Sequence, residues 1–283
     1  MMLESLRHFL LIVEHGTFTE AAKRAHLSQP ALTQSIRRLE EELGARLFHR
    51  GRGGAEPTAE GLALVPRARA ALAAVEDGRR AVREVLGVER GEVRIGAGGT
   101  ACTYLLPPVI ASFRAEHPGV RFFLREQTPE EALTSLDAGE IDLAVVPADR
   151  GDAWVVDELV LVAAPGERIE GAPFVTFRAG ASTRSELDRA FPDAEIVMEL
   201  GSVAAVKAYV GAGVGVALVS KHAVRTEVEK GELAIVKSRQ TPVARTIRVV
   251  HRGLDRLSPA AAALRARMLA RQAPSARRRR GSA

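Results

Sequence analysis

The chain has 283 residues, 46% apolar and 27% charged, which is room for one large or two to three smaller domains with buried cores and an ordinary balance for a soluble protein. Its net charge of +5 is accounted for by Arg271 and Arg277 to Arg280, so the remaining residues balance and give no charge-based ground for a nucleic-acid partner. The single cysteine, Cys102, excludes an internal disulfide and a cysteine-based zinc site, and no apolar run approaches the roughly 20 residues of a membrane span.

At the N-terminus, Glu4, Arg7 and His8 do not fit a signal peptide, so the cytoplasm is the expected compartment, with no membrane partner. Leu6, Phe9, Leu10 and Val13 fall at helical spacing, and Gly16 stops that helix. Phe18 reads as a core residue, while Arg7 and Thr17 either reach phosphates or stay solvated. Thr19 is expected to cap a second helix whose Ala21, Ala22 and Ala25 let a neighbour lie close. His26 and Leu27 then turn the chain. Ser28 caps a third helix, with Pro30 in its first turn, where a missing N–H removes no intrahelical bond. Leu32, Ile36, Leu39 and Leu43 make one apolar stripe facing a core. The opposite face offers Gln29, Thr33, Gln34, Arg37 and Arg38. Amides can pair with adenine edges, and hydroxyl and guanidinium groups with phosphate or guanine, so this is helix-turn-helix chemistry, although a plain solvated helix also shows a polar face. After Gly44 two short extended pieces surround a glycine-rich turn, with Leu47 and Phe48 directed inward.

The run L-R-H-F-L-L-I-V-E-H-G-T-F-T-E-A-A, then L-S-Q-P-A-L-T-Q-S-I-R-R-L-E-E-E-L-G-A-R-L-F-H-R, then P-T-A-E-G, resembles the N-terminal winged helix-turn-helix of LysR-type transcriptional regulators. The resemblance covers about the first quarter of the chain at motif level, and the remaining length and element order also fit that family. It implies a wing whose tip residues Arg50 and Arg52 enter the minor groove or hold phosphate, although a surface hairpin would carry the same glycines. Base edges are expected to be read by Gln29, Pro30, Thr33 and Gln34, with Pro30 against a thymine methyl. Ser28, Arg37, Arg50 and Arg52 would position the DNA backbone. Glu40 to Glu42 are acidic, so the recognition helix should approach with its Ser28 end foremost.

Thr58 can cap a long helix from Ala59 to about Val88, with Leu62, Val65, Leu72, Val75, Val82 and Leu86 as a stripe for a partner helix and Pro66 expected to kink it or fray its start. In LysR-type proteins this linker helix pairs two subunits, and two-fold pairing supplies two recognition helices for a near-palindromic site. Beyond Glu92, short apolar runs alternate with helical segments, the pattern of an α/β domain. Strands are expected over 93–96, 120–126, 141–147, 158–163, 173–177, 195–199, 215–219, 233–237 and 246–250. Two small lobes around a cleft are the economical arrangement, and the family resembles periplasmic binding proteins in this respect.

The sequence I-G-A-G-G-T-A places Gly96, Gly98 and Ala101 in a G-x-G-x-x-A pattern, with Glu126 ending the next strand. It opens an alternative, a nicotinamide-dependent oxidoreductase, against which Pro107 and Pro108 are expected to cut the following helix after about two turns. The same glycines, Ser182 with Thr183, and Gly201 with Ser202 all precede helices, where hydroxyls and bare amides suit a small anion or serve only as caps. The resemblance implies an effector cleft at Thr100, Gln127, Thr128 and Ser202, taking a small carboxylated metabolite. Cys102, near a helix start, is either a small buried residue or an oxidant sensor with a lowered pKa. The seven histidines show no metal-ligand spacing or catalytic motif, and no cofactor is expected. Where the family usually carries a proline, this chain has Ser220.

The expected architecture is therefore α/β with an N-terminal winged helix-turn-helix (1–58), a long linker or dimerisation helix (59–90), a two-lobed effector domain (91–270) and a basic disordered tail (271–283). The expected activity is regulatory and not enzymatic. Its partners would be double-stranded DNA, a small-molecule effector, further copies of the chain as dimer or tetramer, and RNA polymerase.

Overall fold

The computed structural model describes residues 2–49, 54–85, 91–167 and 170–270. The chain divides into two units, 1–88 with 137–140, and 89–136 with 141–283. In the first, α1 (Met2–His15) ends at Gly16, whose φ of 69° lies in the left-handed region. The cap of α2 (Phe18–Arg24) is Thr17, two residues before the expected Thr19. With α1 closed at Gly16, Thr17 is already extended (φ −143°, ψ 145°), and its hydroxyl accepts the Glu20 N–H at 3.2 Å. In α3 (Gln29–Leu43), Ser28 caps as expected, accepting the Ala31 N–H at 3.3 Å.

Leu32, Ile36 and Leu39 are buried against α1 and α2, but Leu43 is 43% exposed, so the expected stripe stops one turn early. Gly44 at φ 68° turns the chain back there, and Leu47 and Phe48 take the core space instead. The Phe48 ring lies 5.4 Å from that of Phe9 and 5.5 Å from that of Phe18. Glu40 turns inward with them. Its carboxylate accepts the Leu47 N–H at 2.8 Å and an Arg46 N–H at 3.1 Å, which fixes the turn below α3.

One antiparallel bridge, Phe48 to Pro57, joins the two sides of the wing. Thr58 then starts α4 (Ala59–Val85), accepting the Gly61 N–H at 3.0 Å and donating to the Arg46 carbonyl at 2.7 Å. A Cβ at Gly61 would stand 2.3 Å from the Leu47 carbonyl oxygen, so this close approach requires glycine. The helix runs on through Pro66, without a frayed start. Val65 and Ala68 pack on the helix-turn-helix core, whereas Leu62 and Val82 are 61% and 60% exposed. Leu86 lies outside the described residues.

The second unit realises all nine expected strands. Parallel β1 (Glu92–Ala97), β2 (Arg121–Glu126) and β3 (Leu143–Pro147) form the first lobe with α5 (Leu106–Glu116), α6 (Pro129–Asp137) and α10 (Pro259–Ala270). β4 (Asp152–Ala163) and β9 (Val243–Val250) pair antiparallel and carry the sheet, ordered β2-β1-β3-β9-β4-β7, into the second lobe. β4 begins six residues before its expected start at Glu158. The second lobe has β7 (Ala217–Ser220) and β8 (Ala234–Val236) on β4, a parallel pair β5 (Phe174–Phe177) with β6 (Ile196–Leu200), and helices α7 (Ser182–Ala190), α8 (Val203–Gly211) and α9 (Lys221–Glu229).

The expected break at Pro107 and Pro108 does not occur. A π-helical turn (Ala101–Leu105) leads directly into α5, in which both prolines lie in the first turn. Prolines lack the N–H an ordinary turn would need, and the wider turn closes with Leu106 N–H on the Ala101 carbonyl.

Candidate functional site

On α3, Ser28, Gln29, Pro30, Gln34, Arg37 and Arg38 are exposed and Thr33 half-buried, opposite the buried Leu32, Ile36 and Leu39. Gln29, Thr33 and Arg37 line one depression with Arg46 and His49 from the wing side. Arg37 and Arg38 make no ion pair or hydrogen bond among the described residues. Thr33 is not a free hydroxyl donor. It donates to the Gln29 carbonyl at 2.9 Å, leaving a methyl and a lone pair outward. Arg50, Arg52 and the arginines of the tail lie outside the described residues.

In the second unit a cleft opens between the lobes, lined from one side by Gly98 to Ala101 and Glu126 to Pro129 and from the other by Phe177, Arg178, Ala181 to Thr183, Gly201 and Val203. The cavity measures about 70 Å³, on a scale where one water needs about 10–15 Å³, so it suits a small metabolite. The helical segments beginning at Ala101, Pro129, Ser182 and Val203 all start at its walls, bringing four sets of first-turn amides to one place.

Of the expected effector residues, Thr100, Gln127 and Thr128 border the cleft. Ser202 does not, although its neighbours Gly201 and Val203 do; its hydroxyl caps α8 by accepting the Ala205 N–H at 3.2 Å. Thr128 also caps: its hydroxyl accepts the Glu131 N–H at 3.2 Å while Glu131 accepts the Thr128 N–H at 2.7 Å, a reciprocal box at the start of α6. Gln127 turns its amide to Ser135, donating at 2.9 Å. The Glu131 carboxylate also receives the Arg178 guanidinium across the cleft mouth, and the Thr128 N–H and then Arg178 hold its pKa below the ordinary value.

The polar centre of the cleft is a group that sequence reasoning missed. Arg245 on β9 stands opposite Asp157 on β4 in the strand register, midway along the two strands that join the lobes. Asp157 is wholly buried and Arg245 is 7% exposed. Arg245 Nε donates to Asp157 Oδ2 at 2.9 Å and Nη2 lies 2.8 Å from the same oxygen. Nη2 also donates to Thr100 Oγ1 at 3.2 Å, and Nη1 to Ser182 Oγ at 3.0 Å and Thr183 Oγ1 at 2.9 Å. One guanidinium therefore ties the first lobe to the second. Ser220, where the family usually has proline, donates to Asp157 Oδ1 at 2.6 Å and accepts the His222 N–H at the start of α9. The sequence signal was present: a charge at an inward position of each of two apolar strands, VVDELVLV and VARTIRVV.

Cys102 is not a sensor-type thiol. It donates to the Ala97 carbonyl at 3.4 Å, and burial, aided by the Glu126 charge, pushes its pKa up to about 12.

Residues 3–62 match the family described as bacterial regulatory helix-turn-helix protein, lysR family, and residues 86–273 match the LysR substrate binding domain. The HTH-type transcriptional regulator CfxR of Cupriavidus necator is 32% identical over 95% of this chain and 91% of its own length. The RuBisCO operon transcriptional regulator of Allochromatium vinosum is 29% identical over 93% of this chain and 94% of its own. Among solved structures, full-length CbnR complexed with its target DNA superposes with a TM-score of 0.65 at 23% identity, covering 96% of this chain and 99% of that one.

Proposed function

We propose, from the premise that this chain belongs to the LysR family of helix-turn-helix transcriptional regulators, that it reads operator DNA with the outer face of α3 and adjusts that binding when a small carboxylated metabolite enters the cleft between the lobes. The enzyme alternative at Gly96, Gly98 and Ala101 falls away, since the relatives are named transcriptional regulators and the two family matches account for most of the chain. The observation that carries the reading is the pairing of two features in one chain: an α3 whose polar residues stand clear of the core, and a two-lobed domain whose helix starts converge on a metabolite-sized cleft.

On α3, Gln29 and Gln34 supply amides for base edges, Pro30 and the Thr33 methyl supply apolar contacts, and Ser28, Arg37, Arg50 and Arg52 hold phosphates. In the cleft, Thr100 and Thr128 contact the effector, Gln127 shapes the wall, and Ser202 holds the α8 start whose neighbours Gly201 and Val203 border it. The exposed Leu62 and Val82 of α4 pair with a second copy, which sets two recognition helices on one face of the duplex. Effector binding then shifts an existing equilibrium between assemblies with different spacing of these heads.

Genome-wide footprinting of the full-length protein tests this. The expected result is a set of discrete sites with paired half-sites a whole number of helical turns apart. Genes for RuBisCO are the first loci to inspect, given the relative named for that operon. Uniform coverage without discrete sites would remove the regulatory reading.

A further inference from the structure

The cationic side chains of the cleft are already matched within the protein. Arg245 is engaged within the protein at every nitrogen: Nε donates to Asp157, Nη2 to Thr100, and Nη1 to Ser182 and Thr183, while Nη2 also lies 2.8 Å from the Asp157 carboxylate. Its charge is matched by Asp157, and that of Arg178 by Glu131. Neither guanidinium is left to grip an incoming anion.

Thr100, Ser182 and Thr183 each accept from Arg245 and make no other side-chain hydrogen bond among the described residues, so each keeps an O–H to give. All three line the cavity, and Thr100 and Thr183 are 8% and 7% exposed. Three hydroxyl donors backed by a cation, two of them on the first residues of α7, form a seat for one carboxylate.

The first-lobe wall, which carries Thr100, also carries a negative group. Glu126 lines the cavity and makes no ion pair or hydrogen bond among the described residues. Its Oε1 lies so close over Gly99 that a Cβ there would stand 2.7 Å from it. The chain's own carboxylate thus lies against Gly99, beside Thr100. It leaves the cleft with one uncompensated negative charge.

We infer that the cleft accepts a small ligand with one carboxylate at the hydroxyl seat and an ammonium group facing Glu126, and that it discriminates against dicarboxylates and phosphate esters. The inference rests on the cleft being the effector site.

Calorimetric titration of the full-length protein at fixed ionic strength tests it, with β-alanine and γ-aminobutyrate as zwitterions, propionate and butyrate as their amine-free counterparts, and succinate and phosphoglycolate as multiply charged probes. The expected result is a zwitterion bound ~10-fold or more tighter than its counterpart, the effect of one opposite charge a few ångströms away in a partly screened cleft. Glu126→Gln should erase that preference without weakening the monocarboxylate, since the hydroxyl seat stays and a nearby negative charge is removed. Thr183→Val should weaken both ligands alike. Tighter binding of succinate or phosphoglycolate, an unchanged preference in Glu126→Gln, or no binding by any zwitterion would overturn the inference. Operator binding measured on the same samples separates the two claims. A zwitterion that binds with the expected selectivity and leaves operator binding unchanged supports the ligand class and removes the effector role.

Discussion

Removing the Asp157 carboxylate should destabilise the effector domain more than any surface change. In Asp157→Ala, Arg245 stays buried with its charge unmatched, losing Nε–Oδ2 at 2.9 Å and Nη2–Oδ2 at 2.8 Å, while Ser220 loses its 2.6 Å acceptor. Breaking one side of a buried pair costs about 3–5 kcal/mol, because the surviving charge remains desolvated. For a domain of this size each kcal/mol lowers Tm by about 2–4 °C, so a fall on the order of 6–20 °C is expected. The single tryptophan, Trp154, is 5% exposed in this unit, so its fluorescence follows this domain and not the DNA-binding one. Denaturant and thermal unfolding are recorded for Asp157→Ala, Arg245→Met and the double change Asp157→Leu with Arg245→Met. The double change should recover most of the loss, since an apolar replacement of a buried pair is often neutral. A single-variant cost under about 1 kcal/mol, or simple additivity in the double variant, would refute the idea that this pair acts as one buried unit.

Three other outcomes follow from the same geometry. Cys102, with its pKa pushed up to about 12 from an ordinary 9.0, should react with iodoacetamide at pH 8 roughly a thousandfold more slowly than a free thiol and become reactive on unfolding; rapid native alkylation would contradict its placement. Leu62→Glu combined with Val82→Glu on α4 should weaken self-association ~10–100-fold in sedimentation experiments, since both side chains are lost from a two-fold interface; an unchanged sedimentation profile would place the interface elsewhere. Burial lowers the His8 pKa from 6.5, against a smaller raising effect of Glu4, while its Nδ1 lies 2.8 Å from Ser35 Oγ. The unfolded chain therefore binds the proton more readily. The stabilisation is present above pH 6.5 and is lost as pH falls through the lowered value, so acid should loosen the helix-turn-helix unit and His8→Gln should flatten that dependence.

Legibility in the sequence followed the range of the interactions. Ser28, Pro30 and the Leu32–Ile36–Leu39 stripe act within a few residues of one another, and α3 formed where they place it. Leu43 did not, because its fate depends on Leu47 and Phe48 folding back beneath it. Thr17 displaced Thr19 as a cap only once Gly16 had ended α1, which spacing alone does not fix. The cap at Ser202 was readable locally, whereas Ser182, expected to precede its helix, is the first residue of α7 behind Ala181, and the Arg245 and Asp157 pair joins residues 88 apart through the register of two strands. The first half of β4 was hidden because Asp152 and Asp157 interrupt its apolar pattern, and with it went the partner of Arg245. Gln127 shows the converse: the resemblance brought it to the cleft, but its amide serves Ser135.

If the outer face of α3 reads bases while its ends and the wing hold the backbone, Gln29 matters on cognate DNA alone. A paired anisotropy titration tests it, wild type and Gln29→Ala against a footprinted site and against scrambled duplex at one salt concentration. The expected loss is about 1–3 kcal/mol on the specific site, with scrambled DNA bound as before. Equal loss on both duplexes, or no loss on either, would contradict it.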